Sequence, residues 1–184
     1  MKLPTTNRVY LGRSKIFGLN PNVFFLGIVS LLTDISGEMI FTLVPLFLSN
    51  VLGAATTVIG LIGGLSESTD AILRIFSGWF SDRIGKRKSL ALLGYSISAV
   101  VKPFMYLASN WGAVLAIRFG DRVGKGIRTS PRDALVADSV LAEERGKGFG
   151  LHRAMDTFGA VLGLAIAAII IYFVHGWGRE LSLK

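Results

Sequence analysis

The sequence predicts an all-α, polytopic integral membrane protein with about five transmembrane helices. Of its 184 residues, 51% are hydrophobic and only 17% are charged, which is too few to give a soluble domain of this length a polar surface. The chain also contains 22 glycines, and glycine is more frequent in transmembrane helices than in soluble ones. Long apolar runs separated by short polar gaps complete the pattern.

Each apolar run is long enough to cross a bilayer, for which a helix needs roughly 20 residues. The fourth run turns polar after Ile117, and we expect it to continue as one long helix that protrudes into the cytoplasm. The fifth contains the most continuous apolar stretch, AVLGLAIAAIIIYFV. We treat the whole chain, 1–184, as one partial transmembrane domain. The predicted spans are residues 22–48, 57–80, 90–108, 111–139 and 149–173.

The basic residues alternate between the two sides of the predicted membrane. The gaps at 49–56 and around Asn110 contain no lysine or arginine. Because lysine and arginine accumulate on the cytoplasmic side, the N-terminus and the 81–88 loop are predicted to be cytoplasmic, in a bacterial inner membrane. The net charge of +8 does not indicate nucleic-acid binding, since the bases form no continuous stripe. The bases in question are Lys2, Arg8, Arg13, Lys15, Arg83, Lys86, Arg87, Lys88, Arg122, Lys125, Arg128, Arg132, Arg145 and Lys147.

The loop between the second and third spans has a specific pattern, GWFSDRIGKRK at 78–88. It resembles the signature of the major facilitator superfamily, Gly-x-Leu-Ala/Ser-Asp-Arg-x-Gly-Arg-Arg/Lys, which joins helices 2 and 3 in that family. Phe80 replaces the usual leucine, and Lys86 replaces the usual arginine. The matching residues are Gly78, Ser81, Asp82, Arg83, Gly85 and Arg87.

The resemblance implies that this loop acts as an inner gate. In relatives the aspartate, here Asp82, pairs with an arginine of helix 4 when the cytoplasmic side is closed. The candidate partners are Arg118 and Arg122. They lie two residues to either side of the position that the arginine occupies in the family's Arg-x-x-x-Gly-x-Gly pattern. In helix 5, Gly159 and Gly163 fit the family's packing glycines.

The resemblance also implies the function, which is transport of a small solute by alternating access, coupled to protons. Such carriers have two six-helix halves, and this chain supplies about five helices of the first. The implied partners are therefore the lipid bilayer, a small-molecule solute, and a second half or another copy. The alternative is a truncated, non-transporting membrane protein that packs with itself or with a partner subunit.

A membrane-embedded enzyme is the less favoured alternative. The chain has no HExxH or GxSxG motif, no cysteine and only two histidines, so we predict no catalytic residue, metal site or cofactor. Without cysteine, disulfides and thiolate metal sites are excluded.

Charged residues inside the predicted spans are the candidates for translocation or proton coupling. An ionised side chain in the bilayer is costly, so such residues usually face the protein interior, pair with one another, or mark a pathway. Asp34 and Glu38 lie one turn apart on one helical face and repel each other. A carboxyl group that exchanges a proton is what a proton-coupled carrier requires. The candidates are Asp34, Glu38, Glu67, Asp70, Arg74 and Lys102.

Three further features have structural interpretations. Arg153 and Asp156 are predicted to form an ion pair near the inner end of the fifth span. His152 is predicted to be a hydrogen-bonding residue at the cytoplasmic interface. The stretch around Pro131 fits either a helix start or a kink within a longer helix.

Overall fold

The computed structural model describes residue 16 and residues 18–182. These residues contain helices and no strand, which confirms the all-α prediction. The basic N-terminal residues Lys2, Arg8, Arg13 and Lys15 lie outside the described residues. The α-helices are α1 (Pro21–Phe41), α2 (Val44–Asn50), α3 (Thr56–Ile84), α4 (Arg87–Val101), α5 (Trp111–Asp138) and α6 (Arg145–Ser182). Two 3₁₀ segments cover Lys102–Leu107 and Ala142–Glu144.

The first predicted span, 22–48, contains a break that the sequence analysis did not anticipate. Helix α1 ends at Phe41, and α2 begins at Val44 with Pro45 in its first turn. Proline lacks an amide hydrogen and clashes with the carbonyl group four residues earlier, so it is favoured at a helix start and disfavoured in a helix interior. The predicted span is therefore two helices in series.

The other two internal prolines act differently from each other. Pro103 lies at the start of the 3₁₀ segment. The third predicted span is therefore α-helical up to Val101 and a 3₁₀ helix in its last turns. Pro131 lies inside α5, which continues without interruption to Asp138. Of the two interpretations left open for Pro131, the helix start is therefore wrong.

Helix directions follow from the residues that face each other. Along α1 and α6, Leu31 faces Gly159 and Ile35 faces Gly163, so these two helices run parallel. Helix α5 runs parallel to α3, and it runs antiparallel to α4 because Gly94 faces Arg128 whereas Val101 faces Gly120. The connections 85–86 and 139–144 therefore lie at one end of the bundle, which we call the basic end. The connections 51–55 and 108–110 lie at the opposite end.

Glycines allow the backbones of neighbouring helices to touch. A Cβ atom added to Gly159 would lie 2.6 Å from the carbonyl oxygen of Leu31, and one added to Gly163 would lie 2.6 Å from that of Ile35. Between α4 and α5, a Cβ on Gly94 would lie 2.5 Å from the carbonyl oxygen of Gly124. Small residues at such crossings are typical of helix packing in membranes.

The bundle carries apolar side chains outside and charged side chains inside. Ile75 is 76% exposed and Trp79 is 61% exposed, whereas Arg128 is 3% exposed and Arg132 is 5% exposed. This is the distribution expected of a polytopic membrane protein. Within the described residues, three helical segments are long and apolar enough to cross a membrane: Pro21–Asn50, Arg87–Leu107 and Ala142–Phe173.

Candidate functional site: a charged cavity and a salt-bridged loop

A polar cavity of about 290 Å³ lies between α1, α3, α5 and α6. Eight of its lining residues are charged, although it lies within a bundle whose outer surface is apolar. The acids are Asp34, Glu38 and Asp156; the bases are Arg74, Lys125, Arg128, Arg132 and Arg153. Thr129, Thr157 and Ala160 complete the lining.

Arg128 of α5 is held by three groups from neighbouring helices. Its Nη1 donates a hydrogen bond to Ser98 Oγ at 2.8 Å, and its Nη2 lies 3.9 Å from Asp34 Oδ1. The guanidinium carbon also lies 4.6 Å from the centre of the Tyr95 ring. A buried cation requires such partners because removing it from water is costly. Arg128 thereby connects the cavity wall of α1 to α4.

Arg132, one turn further along α5, belongs to a network that spans three helices. Its Nη1 donates to Ser30 Oγ at 2.8 Å, and its guanidinium lies 3.0 Å from Asp133 and 3.5 Å from Asp156. Arg153 of α6 shares both carboxylates, at 3.3 Å and 3.7 Å. The predicted Arg153–Asp156 pair is therefore one edge of a four-residue network.

His152 is fully buried, so its prediction as an interfacial hydrogen-bonding residue is wrong. Its Nε2 lies 3.7 Å from Asp156 Oδ1, and neither ring nitrogen has a hydrogen-bond partner among the described residues. Helix α6 packs against α1 and α5, and His152 is fully buried in it.

The charges of α3 divide into two ion pairs. Arg74 Nη2 donates to Asp70 Oδ2 at 2.6 Å, one turn away on the same helix. Glu67 pairs instead with Arg122 of α5, at 2.7 Å. Of these residues, Arg74 alone lines the cavity. The others connect or stabilise the helices that form its wall.

Lys102 is buried away from the cavity, at the junction of α4 and the 3₁₀ segment. Its Nζ donates to the carbonyl oxygen of Thr33 at 3.0 Å and to Ser36 Oγ at 2.8 Å, and lies 3.9 Å from Asp121 Oδ1. It therefore connects α1 to α4 and α5. The cavity brings together three of the six predicted translocation candidates, Asp34, Glu38 and Arg74.

Three bases that α5 contributes to the cavity were not predicted as site residues from the sequence. Lys125, Arg128 and Arg132 were counted as cytoplasmic charges, whereas the structure places them along the cavity wall. Their spacing of three and four residues was the available signal, because residues at these intervals share one face of a helix.

At the basic end, Arg87 joins the ends of three helices. Its Nη2 donates to Asp82 Oδ1 at 3.0 Å, and its Nη1 donates to Asp138 at the end of α5. We call this group of three residues the clasp. Gly85 ends α3 in the left-handed conformation, with φ of 69°, and so allows the short turn into α4. Gly78 brings α3 close to α5, since an added Cβ would lie 3.3 Å from that of Ser130.

The predicted pairing of Asp82 with Arg118 or Arg122 is wrong. Arg122 pairs with Glu67, which precedes Asp82 by 15 residues, or about 22 Å along the helix axis. Arg118 lies still further from the basic end, where its Nη1 donates to the carbonyl oxygen of Phe41 at 3.4 Å. Arg83, the other base of the motif in α3, stacks over the ring of Trp79 instead, at 5.4 Å.

The chain matches the family model described as the Major Facilitator Superfamily over residues 26–178. It is 40% identical, over 85% of its length and 39% of the relative's, to an uncharacterized MFS-type transporter of Methanocaldococcus jannaschii. An uncharacterized protein of Mycobacterium tuberculosis is 31% identical over 85% of this chain and 38% of the relative. The multidrug resistance protein MdtH of Edwardsiella ictaluri is 29% identical over 83% of this chain and 38% of the relative. The chain thus spans about two fifths of the length of these curated relatives.

Proposed function

The chain belongs to the Major Facilitator Superfamily, and on that premise we propose that it forms part of a carrier that moves a small polar solute by alternating access. The observation that carries the proposal is the charged cavity between α1, α3, α5 and α6. Ionisable groups are costly in a membrane, and where they collect around a cavity they mark a solute or ion pathway. In this superfamily the solute site lies between two halves that rock against each other. A second half, or a second copy, would then complete the wall of this cavity.

The role proposed for the clasp is that of an inner gate. Asp82, Arg87 and Asp138 connect the ends of α3, α4 and α5, so opening this end of the bundle requires either breaking these contacts or moving the three helix ends together. This replaces the gate expected from the sequence, in which Asp82 paired with Arg118 or Arg122, nearer the start of α5.

Filling the cavity tests the transport proposal directly. Ala160→Trp places an indole at a lining position and should reduce solute flux by about tenfold or more, because the site must accept the solute during each cycle. Uptake of labelled amino acids, sugars, organic acids and amines into proteoliposomes containing the intact protein provides the measurement. Ala154→Trp, at an exposed position outside the cavity lining, is the matched control.

Flux that is blocked at 160 and normal at 154 supports the proposal. If neither the unmodified protein nor either variant moves any solute of the panel, the alternative of a non-transporting membrane protein is favoured instead.

We also propose that the N-terminus and the basic end face the cytoplasm. Because the chain has no cysteine, single cysteines can be placed without a background signal. Lys86→Cys and Thr56→Cys are suited to this test, since both positions are exposed, whereas Ser81 is buried. In intact cells, a membrane-impermeant thiol reagent should label a cysteine at position 56. It should label neither a cysteine at position 86 nor one that replaces Thr6. Labelling of position 86 before the membrane is permeabilised would reverse the proposed orientation.

A further inference from the structure

Two of the eight charged residues that line the cavity lack an oppositely charged partner within ion-pair distance among the described residues. They are Glu38 of α1 and Lys125 of α5. The other six are paired: Arg74 with Asp70, Arg128 with Asp34, and Arg132 and Arg153 with Asp133 and Asp156.

We propose that these two groups bind the opposite charges of one zwitterionic solute. Lys125 would bind its carboxylate or other anionic group, and Glu38 would bind its ammonium group. This inference rests on the proposed transport function, since it names the class of solute that the same cavity accepts.

The pairing pattern favours a solute with both charges over other solutes. A neutral solute would leave both Glu38 and Lys125 without an ion-pair partner, and a singly charged solute would leave one of them without a partner. Both side chains are partly buried, so a ligand that pairs both of them gains a charge-assisted contact at each end when it enters the cavity. The six paired residues need no such compensation from the solute.

The geometry around the two residues is suited to recognition. Thr42 Oγ1 donates to Glu38 Oε2 at 3.2 Å and so restrains the carboxylate. Lys125 carries a compact ammonium group on a flexible chain, which adapts to an anionic group of variable position. The volume of about 290 Å³ lies near the lower limit of the roughly 300–1,000 Å³ of small-molecule sites, which favours a compact solute.

Binding to the intact protein in lipid nanodiscs tests the inference. The probes are short ω-amino acids of increasing chain length, each compared with the carboxylic acid and the amine that lack one of its two charges. The unmodified protein should bind at least one ω-amino acid about tenfold more tightly than either analogue, as expected for one additional charge-assisted contact.

Two variants then separate the roles of the two groups. Lys125→Gln should remove the preference for the amino acid over the amine, and Glu38→Gln should remove the preference over the carboxylic acid. Glu143→Gln and Lys86→Gln, at exposed positions outside the cavity lining, serve as matched controls and should keep both preferences.

The inference is overturned if a singly charged analogue binds as tightly as every amino acid, if no probe binds, or if both cavity variants keep the original preferences. A result of this kind leaves the transport proposal intact as long as Ala160→Trp still blocks flux. The transport proposal itself fails only if the unmodified protein moves no solute in the proteoliposome assay.

Discussion

Replacing Gly159 or Gly163 with leucine is expected to separate α6 from α1 and to destabilise the bundle. An added Cβ at Gly159 would lie 2.6 Å from the carbonyl oxygen of Leu31 and 3.1 Å from its Cα. These are backbone atoms, so the clash is relieved only by moving one helix away from the other. Overpacking in a well-packed interior costs about 1–3 kcal/mol and occasionally more. We expect the upper end of this range, because close helix approach in membranes depends on such small residues.

The measurement is the denaturation midpoint of the purified protein in detergent, followed by circular dichroism. Gly64→Leu is the matched control, since no atom of another segment lies within 4 Å of a Cβ added there. It introduces the same apolar side chain into α3 and should leave the midpoint nearly unchanged. Equal effects at 64 and 159 would mean that the α1–α6 contact is not formed as described.

We propose that the transport inferred above is driven by a proton gradient, and Asp34→Asn is then expected to remove this dependence. We propose that Asp34 is the coupling carboxylate: it lines the cavity, its side chain is 23% exposed, and its nearest base, Arg128, lies 3.9 Å away. Protonation of Asp34 would break its ion pair with Arg128, and the pair would form again only after the proton is lost. Proton binding is thereby coupled to the contact between α1 and α5. Asparagine keeps the size of the side chain but cannot bind and release a proton as a carboxylate does.

Two assays in proteoliposomes distinguish loss of coupling from loss of folding. Uptake driven by an imposed pH gradient should fall by about tenfold or more, whereas exchange of labelled for unlabelled solute at equal pH should persist. Glu143→Gln, which removes an exposed carboxylate outside the cavity lining, should retain both activities. Unchanged gradient-driven uptake by Asp34→Asn would assign this carboxylate a structural role.

The apolar runs predicted the helices well because length and hydrophobicity determine whether a segment can span a bilayer. They did not predict what prolines do inside those runs. Pro45 separates α1 from α2, whereas Pro131 is accommodated within α5. The sequence around Pro131 is compatible both with the start of a new helix and with the continuation of an existing one. Tertiary packing decides between them, since Pro131 is among the fully buried residues.

The candidate site was predicted in part, because charge alone does not indicate depth. Asp34 and Glu38 were found since they interrupt an apolar run, which makes them conspicuous. Arg128 and Arg132 lie in a segment with so many charges that it resembled a cytoplasmic extension. Asp138 was missed for another reason: its contact with Arg87 depends on where α5 ends relative to α3, which is a property of the assembled helices.

The exposure of the clasp gives this protein two sets of ion pairs that respond differently to the surrounding electrolyte. The side chains of Asp82 and Asp138 are 69% and 55% exposed, whereas those of Arg132 and Asp156 are 6% and 14% exposed. Dissolved salt screens exposed charges over about 8 Å at physiological ionic strength and acts far less on sheltered ones. Raising ionic strength therefore weakens the connection between the helix ends, whereas the sheltered pair of Arg132 and Asp156 keeps its contact. The strength of the ion pairs at the basic end thus depends on the ionic strength of the compartment that this end faces.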